Sequence, residues 1–372
     1  MKNKGNRETP VLPCDIYNST SCTLLPPHLK SPIVSENLNS MDREQEDLQF
    51  LSFFSIFKES FRIISSWKKI FSQITLTLIL PLSFIYLAHI EISQLLFFKI
   101  LHNESALEET QVGSTKYSKL SNIISSEWTA FWLFKFAYFT FFLVLALLST
   151  SAVVYTIACI YTAKDITFKK VMSVVPKVWK RLMVTFLWSF VLLFLYHVVA
   201  GSVFVFWVIF LEDNTVGVLI GVVLLAFYLC GLVYINIVWH LASVVSVLED
   251  VYGFKALKKS KNLIKGKMGI STGMFVVLSV CLGGIEVLFE NFVVLGLSPN
   301  VGVAILVGIV CFLLVVMVIL LGLVIETIIY FICKSYHHEN IDKSSLADHL
   351  EVYLGEYVPL KAKDVQLEQF QV

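Results

Sequence analysis

The sequence predicts an all-α fold: a polytopic membrane bundle of about six transmembrane helices, with amphipathic helices at the cytoplasmic interface. Three observations support this class. Hydrophobic residues make up 56% of the 372 positions and charged residues only 15%, and the mean hydropathy is +0.75. Six apolar runs are each long enough to cross a bilayer, and the basic residues concentrate in every second segment between them. The formal net charge of +1 gives no indication of a nucleic-acid partner.

The predicted spans cover residues 71–91, 128–162, 182–211, 215–248, 269–296 and 303–333. Several exceed the roughly 20 residues that a perpendicular helix needs, so we expect tilted helices or helices that continue beyond the bilayer. Only Glu212, Asp213 and Asn214 separate the third span from the fourth. We count two helices there, because a single helix of that length would reach about 100 Å.

Lysine and arginine residues predict the orientation of these spans. In the segments that flank the spans, one side carries eighteen of them and the other three, and short cytoplasmic loops hold the positive excess in membrane proteins. The eighteen are Lys58, Arg62, Lys68, Lys69, Lys164, Lys169, Lys170, Lys177, Lys180, Arg181, Lys255, Lys258, Lys259, Lys261, Lys265, Lys267, Lys334 and Lys343; the three are Lys99, Lys116 and Lys119. The asymmetry predicts that both termini lie in the cytosol.

The membrane domain is expected to cover residues 48–338, between a disordered cytosolic leader (1–47) and a cytosolic tail (339–372). Residues 1–40 are polar and lack the apolar core of a signal peptide, so the first span is expected to target the chain. In the tail, Tyr357-Val358-Pro359-Leu360 fits a tyrosine-based sorting pattern through which adaptor proteins bind. The alternative is a docked or loose tail without this role.

Three basic cytoplasmic segments have a similar form: an apolar or aromatic stretch at helical spacing, then a basic cluster, then a span. Their apolar residues are Phe50, Phe53, Phe54, Phe57 and Phe61 in the first; Phe168, Val171, Met172, Val175 and Trp179 in the second; and Phe254, Leu257 and Ile264 in the third. Such segments are expected to lie in the headgroup plane, with lysines toward anionic lipid. They suggest three tandem units of one interfacial helix and two spans. The alternative is that any cytoplasmic loop of a membrane protein tends to be basic and amphipathic.

One segment carries a recognisable signature, and we call it the signature segment. Its residues are Glu249, Asp250, Gly253, Ala256, Ser260, Leu263 and Gly266. Their spacing predicts a capped helix, with Asp250 near its start and Gly266 in a left-handed conformation at its end. The segment resembles the signature of the six-helix membrane domain that is fused to some glycerophosphodiester phosphodiesterases and occurs free-standing in bacteria.

From Met41 onward the chain also resembles an uncharacterised multipass membrane protein family of plants. The resemblance is carried by Met41-Asp42-Arg43-Glu44-Gln45-Glu46, by Ser335-Tyr336-His337-His338-Glu339-Asn340 and by Leu354-Gly355-Glu356-Tyr357-Val358-Pro359-Leu360. It implies the architecture and a plant source. It implies no site residue.

The sequence indicates no enzyme. It contains no phosphate-binding glycine loop, paired metal-ligand spacing or nucleophile elbow, and the phosphodiesterase partner of the resembled domain is missing. The cluster His337-His338-Glu339 is interpreted as a solvated juxtamembrane patch, since no further ligand set lies at a useful distance. We therefore predict no catalytic residue, no metal and no cofactor.

Four polar residues lie within the predicted spans, where a charge without a partner costs several kcal/mol. Counted from the basic borders, His197 and Glu286 lie at about 24 to 29 Å, and His240 and Glu326 at about 12 to 14 Å. Each pair is expected to meet. Lys135 is expected to extend toward the lumenal side. The structural interpretation is that the pairs hold the helices in register; the functional interpretation is a proton or ion path.

Two functions remain open. The first is a non-enzymatic membrane protein that organises lipid or partner proteins, with anionic headgroups bound at the cytoplasmic face. The alternative is a transporter or channel for a small solute or ion. The membrane is the endoplasmic reticulum, the Golgi or the plasma membrane. Asn103-Glu104-Ser105 is a candidate glycosylation site on the lumenal side, whereas Asn18-Ser19-Thr20 is expected to stay unmodified in the cytosol.

Overall fold

A computed structural model describes residues 52–111, 113–162, 166–211, 215–297 and 300–337. These residues form eight helices and no strand. The helices are α1 (Phe53–Ser66), α2 (Lys68–Glu108), α3 (Thr115–Tyr161), α4 (Phe168–Leu211), α5 (Thr215–Leu248), α6 (Phe254–Leu263), α7 (Met268–Val294) and α8 (Val301–Tyr336). All but α1 and α6 are long and apolar enough to cross a membrane, which gives six candidate spans. The predicted all-α bundle and its six spans are confirmed.

Three predictions fall outside the described residues. They concern the leader, the tail with its sorting pattern, and most of the patch that begins at His337.

One end of the bundle collects most of the described basic residues, and we call it the basic end. Here α2, α4 and α7 begin, and α3, α5 and α8 end. The last turns of α3, α5 and α8 are buried on all sides, including Ala152–Ile160, Leu241–Leu248 and Ile328–Cys333. Helical segments that are apolar all round are expected at the centre of a bundle. The core of the protein therefore lies toward the basic end.

At the opposite end, α2 and α3 continue as a helical hairpin. With 47 residues, α3 is about 70 Å long, whereas the hydrocarbon core of a bilayer is about 30 Å thick. The extension is held by polar contacts: Asn103 Nδ2 donates to Glu127 at 2.7 Å, and Trp128 Nε1 donates to Glu104 at 3.1 Å. Most of the residues predicted as a loop between the first two spans are thus helical.

The outer halves of α4 and α5 pack chiefly against each other. Tyr196 donates from its hydroxyl to the Tyr228 carbonyl oxygen, and Trp207 Nε1 donates to the Gly217 carbonyl oxygen, both at 2.8 Å. A Cβ atom at Gly221 would collide with the Trp207 ring. Small residues on α5 thus allow the aromatic side chains of α4 to approach its backbone.

The structure corrects one of the three predicted interfacial segments. The segment from Phe168 to Trp179 is the first part of α4, because no glycine or extended residue interrupts the helix before the span. In α1 the buried residues are Ile56, Glu59, Ser60 and Ile63. Two phenylalanines of the predicted stripe, Phe54 and Phe61, are exposed on this separate helix. The third segment contains the separate helix α6, which buries Leu257, whereas Phe254 is 52% exposed.

Candidate functional site

The signature segment forms α6 and the turns that hold this short helix across the basic end. Gly253, the residue directly before α6, has φ 66°, a backbone conformation that residues with a side chain rarely adopt. Its N–H donates to Thr185 Oγ1 of α4 at 2.8 Å, and Thr185 also shares a 2.7 Å hydrogen bond with Ser246 of α5. The start of α6 is therefore fixed to two spans at once.

The inner face of α6 consists of small and apolar residues. Ala256 and Ser260 are fully buried, and Leu263 nearly so. Ser260 Oγ donates to the Val238 carbonyl oxygen of α5 at 2.7 Å. The small side chains at one-turn spacing let α6 pack closely on α5, and its lysines are left on the outer face.

Glu249, at the end of α5, is the centre of a polar cluster. Its Oε2 lies 2.6 Å from Lys259 Nζ of α6. Its Oε1 accepts from the Tyr330 hydroxyl at 2.7 Å and from Lys334 Nζ at 3.3 Å, both on α8. The carboxylate thus connects α5, α6 and α8.

Opposing effects act on the pKa of Glu249, which lies outside the spans. Burial raises the pKa, but hydrogen bonds from Lys259 and Tyr330 and the charge of Lys334 outweigh it, so the pKa lies below its ordinary value. Glu249 is therefore ionised in the folded protein at neutral pH.

Asp250 lies near the start of α6 as predicted, and the cap position is three residues further on, at Gly253. The Asp250 carboxylate lies 3.0 Å from Arg181 Nη1 of α4, and 74% of the Asp250 side chain is exposed. The two acidic residues of the signature segment thus differ in environment: Glu249 lies within the bundle and Asp250 on its surface.

The end of α6 agrees with the prediction. Gly266 has φ 90°, as expected for a left-handed glycine after a helix. A Cβ atom at this position would collide with the ring of Tyr336, and Lys267 Nζ lies 4.9 Å from the centre of the same ring. His337 Nε2 lies 2.9 Å from the Leu263 carbonyl oxygen and 3.0 Å from that of Lys265. The end of α8 therefore packs on the end of α6.

A cavity of about 410 Å³ opens on the outer side of α6. Its lining residues are Lys255, Lys258, Lys259, Asn262, Leu263 and His337. Four of the six belong to α6 and carry side-chain nitrogen atoms that can donate hydrogen bonds. Of these, Lys255 and Lys258 are exposed and lie one turn apart. This is a basic cavity in the size range of small-ligand sites, about 300 to 1,000 Å³.

A second basic cavity, of about 680 Å³, lies where α1 meets α2. It is lined by Lys68, Lys69, Gln73, Trp67 and two serines, and by the turn before α4. The basic end thus has two concave surfaces that carry lysine side chains.

Within the spans, one of the two predicted contacts is confirmed. His240 Nδ1 of α5 lies 2.9 Å from Glu326 Oε1 of α8, with the side chains 33% and 21% exposed. Both line a cavity of about 40 Å³ together with Ser271 and Met274 of α7, which is enough volume for a water molecule. The pair connects α5 to α8 on the side of the buried core that faces away from the basic end.

The other predicted pair does not form. His197 is exposed on α4, and its Nδ1 lies 2.7 Å from the Leu193 carbonyl oxygen of its own helix. Glu286 of α7 accepts instead from the Tyr86 hydroxyl of α2 at 3.2 Å. The similar depth of His197 and Glu286 did not predict a contact, because their helices are not neighbours. Helix α7 packs against α2, α5 and α8, whereas α4 packs chiefly against α3 and α5.

A polar group between α2 and α3 was missed from the sequence. Lys135 Nζ lies 2.8 Å from His89 Nε2 and donates to Ser93 Oγ at 2.9 Å. Lys135 thus contacts α2, and its extension toward the lumenal side stays a prediction. The His89 ring stacks on that of Tyr138 with a centroid distance of 3.7 Å.

Glu290 lies one turn beyond Glu286 on α7, and its Oε1 accepts from Gln94 Nε2 at 2.8 Å. The polar residues of α2 recur at helical spacing, as Tyr86, His89, Ser93 and Gln94. This spacing in the sequence could have predicted a polar face on the first span.

The described residues contain no group of three or more His, Cys, Asp or Glu side chains placed to hold a metal ion. None of the described cysteines forms a disulfide.

Comparison with known proteins places the chain in one family. Neither the curated proteins nor the solved structures give a match. Residues 41–370 match a family described as a domain of unknown function, DUF8558. Because the match covers well over half of the chain, the protein belongs to the DUF8558 family.

Proposed function

We propose that this multipass membrane protein organises lipid by binding anionic headgroups at its basic end, with the basic end in the cytosol. The supporting observation is the basic cavity beside α6, whose lysines are displayed on a helix fixed to α4, α5 and α8. A fixed arrangement of lysines attracts anionic lipid at about 1 kcal/mol for each cation near the surface.

The aromatic residues around α6 support a position at the membrane interface. Tyr252 and Phe254 are half exposed, at 50% and 52%, and lie directly before Lys255. Aromatic side chains are enriched at the level of the headgroups, and lysines extend from there toward the phosphates. The exposed Phe54 and Phe61 of α1 are consistent with a second interfacial helix at the same end.

The proposal assigns no reaction and no cofactor to the protein. Protein partners are proposed to bind through the cytosolic tail, and the site of action is an endomembrane or the plasma membrane.

Lipid enrichment tests this function directly. The protein is purified in nanodiscs that contain phosphatidylcholine with a minority of phosphatidylserine, phosphatidate or inositol lipids, and the retained lipids are measured by native mass spectrometry. We expect anionic lipids to be retained above their share in the mixture, and this enrichment to fall as salt screens the charges. A quadruple variant with glutamine at Lys68, Lys69, Lys255 and Lys258 should lose the enrichment. If each lipid were retained only in proportion to its share in the mixture, the proposal would be contradicted.

The second candidate function is a transporter or channel. The polar residues between α2, α3 and α7, together with His240 and Glu326, favour it, because ionisable groups at membrane depth often line substrate paths. An apolar cluster that joins α2, α7 and α8, including Leu87, Ile285 and Phe289, argues against an open path between these groups. Proteoliposomes with an internal pH dye provide the test: a proton flux that Glu286→Gln abolishes would establish this alternative.

A further inference from the structure

We propose that the basic cavity beside α6 binds the inositol phosphate headgroup of an anionic lipid. This inference rests on the proposed function, and it specifies which anionic headgroup the site takes. The chemistry of the lining, the size of the cavity and its position carry the inference.

The lining offers cations and hydrogen-bond donors but no carboxylate. Lys255, Lys258 and Lys259 supply ammonium groups, and Asn262 supplies an amide. The carboxylate of Glu249 is 11% exposed, and Lys259, Tyr330 and Lys334 occupy its oxygens. Headgroups that carry an ammonium, such as serine, ethanolamine and choline, would place a positive charge against the lysines without a compensating anion. The lining therefore favours a headgroup whose charges are all negative.

The volume favours a headgroup larger than a single phosphate. The cavity measures about 410 Å³, within the range of sites that hold small organic molecules. A phosphate alone, as in phosphatidate, would contact one or two of the lysines and leave most of the cavity to water. A ring that carries several phosphates and hydroxyls reaches lysines one turn apart and also the Asn262 amide.

His337 adds a further polar group to the rim. Its Nε2 lies within hydrogen-bond distance of two carbonyl oxygens, which only accept hydrogen bonds, so this nitrogen carries the ring proton. The other ring nitrogen is then an acceptor in the neutral ring, suited to a ring hydroxyl, and a donor in the protonated ring, suited to a phosphate.

The position favours a lipid over a soluble inositol phosphate. The exposed rings of Tyr252 and Phe254 lie at the start of the helix that carries the lysines. A lipid would place its phosphates on the lysines and its glycerol and upper acyl carbons against these apolar groups.

The test compares headgroups at matched vesicle charge. The full-length protein is reconstituted, and its binding of phosphatidylinositol bisphosphate, phosphatidylserine and phosphatidate is measured with a fluorescent headgroup analogue as competitor. The variant is Lys255→Gln/Lys258→Gln. Its control is Lys116→Gln/Lys119→Gln, since these lysines have the same spacing and are exposed at the opposite end. We expect the first pair to weaken inositol lipid binding about thirtyfold and the control pair to leave it unchanged.

Four outcomes separate the two proposals. Preference for the inositol lipid that Lys255→Gln/Lys258→Gln removes supports the inference. Equal binding of all anionic lipids would overturn it but leave the proposed function standing, whereas no preference for anionic lipid would overturn both. If soluble inositol trisphosphate bound as tightly as the lipid, the headgroup chemistry would hold and the lipid source would be wrong.

Discussion

Lys259 Nζ lies 2.6 Å from the Glu249 carboxylate, and this contact fixes the basic face of α6 relative to the spans. The same carboxylate accepts from Tyr330 and Lys334 of α8. We expect Glu249→Gln to lower the free energy of unfolding by about 1 to 3 kcal/mol, because two lysines lose their counter-charge in a largely buried cluster. Thermal unfolding of the purified protein, followed by intrinsic fluorescence, measures the loss.

Asp250→Asn is the matched control, since the neighbouring Asp250 side chain is 74% exposed. An exposed ion pair contributes little to stability, so this variant should unfold close to the wild-type temperature. Equal losses in both variants would contradict the central role of Glu249.

The stabilisation by Glu249 should depend on pH. The pKa of Glu249 in the folded protein lies below the ordinary value of 4.5. Its contribution is therefore complete above that value and decreases as pH falls through the lower folded pKa. We expect the difference in unfolding temperature between wild type and Glu249→Gln to narrow below about pH 4. A difference that stayed constant over the acid range would indicate that the loss comes from packing and not from charge.

Gly266 is expected to tolerate no side chain. Gly266→Ala would place a Cβ atom at φ 90° against the ring of Tyr336, at a cost of about 1 to 3 kcal/mol. In Gly269→Ala, three residues further on, the new Cβ has open space and an ordinary backbone conformation, so it should be neutral or slightly stabilising. Unfolding temperatures of the two variants in the same detergent provide the comparison. If both variants matched wild type, the close contact between α6 and α8 would be wrong.

The fold was predictable where a feature that can be read along the sequence, such as the length of an apolar run, determines it. Span number follows from apolar length, and the His240–Glu326 contact agrees with the similar depth of the two residues. The pairing of His197 with Glu286 failed because residue depth says nothing of which helices are neighbours or which way a side chain faces. In the signature segment, the left-handed Gly266 was predictable from its residue type. The role of Glu249 was not, because its partners Tyr330 and Lys334 lie more than 80 residues away along the chain.

The contact between His240 and Glu326 is expected to hold α5 against α8. Glu326→Gln and His240→Asn should each lower the unfolding temperature, and the double variant should lose less than the sum, with a coupling energy of about 0.5 to 3 kcal/mol. A double-mutant cycle on the reconstituted protein measures this coupling. Additive losses would show that the two side chains stabilise the bundle independently.

The proposed orientation makes a prediction about glycosylation. With the basic end in the cytosol, Asn103 lies on the lumenal side, so endoglycosidase treatment should increase the mobility of the wild-type protein but leave Asn103→Gln unchanged. In the folded hairpin Asn103 is partly buried, and its Nδ2 donates to Glu127. Asn18→Gln should behave like wild type, because a cytosolic asparagine is not a substrate for the transferase. A mobility shift that survives Asn103→Gln and disappears with Asn18→Gln would reverse the orientation. It would also place the lysines of α6 on the side of the membrane opposite to the anionic leaflet that they are proposed to bind.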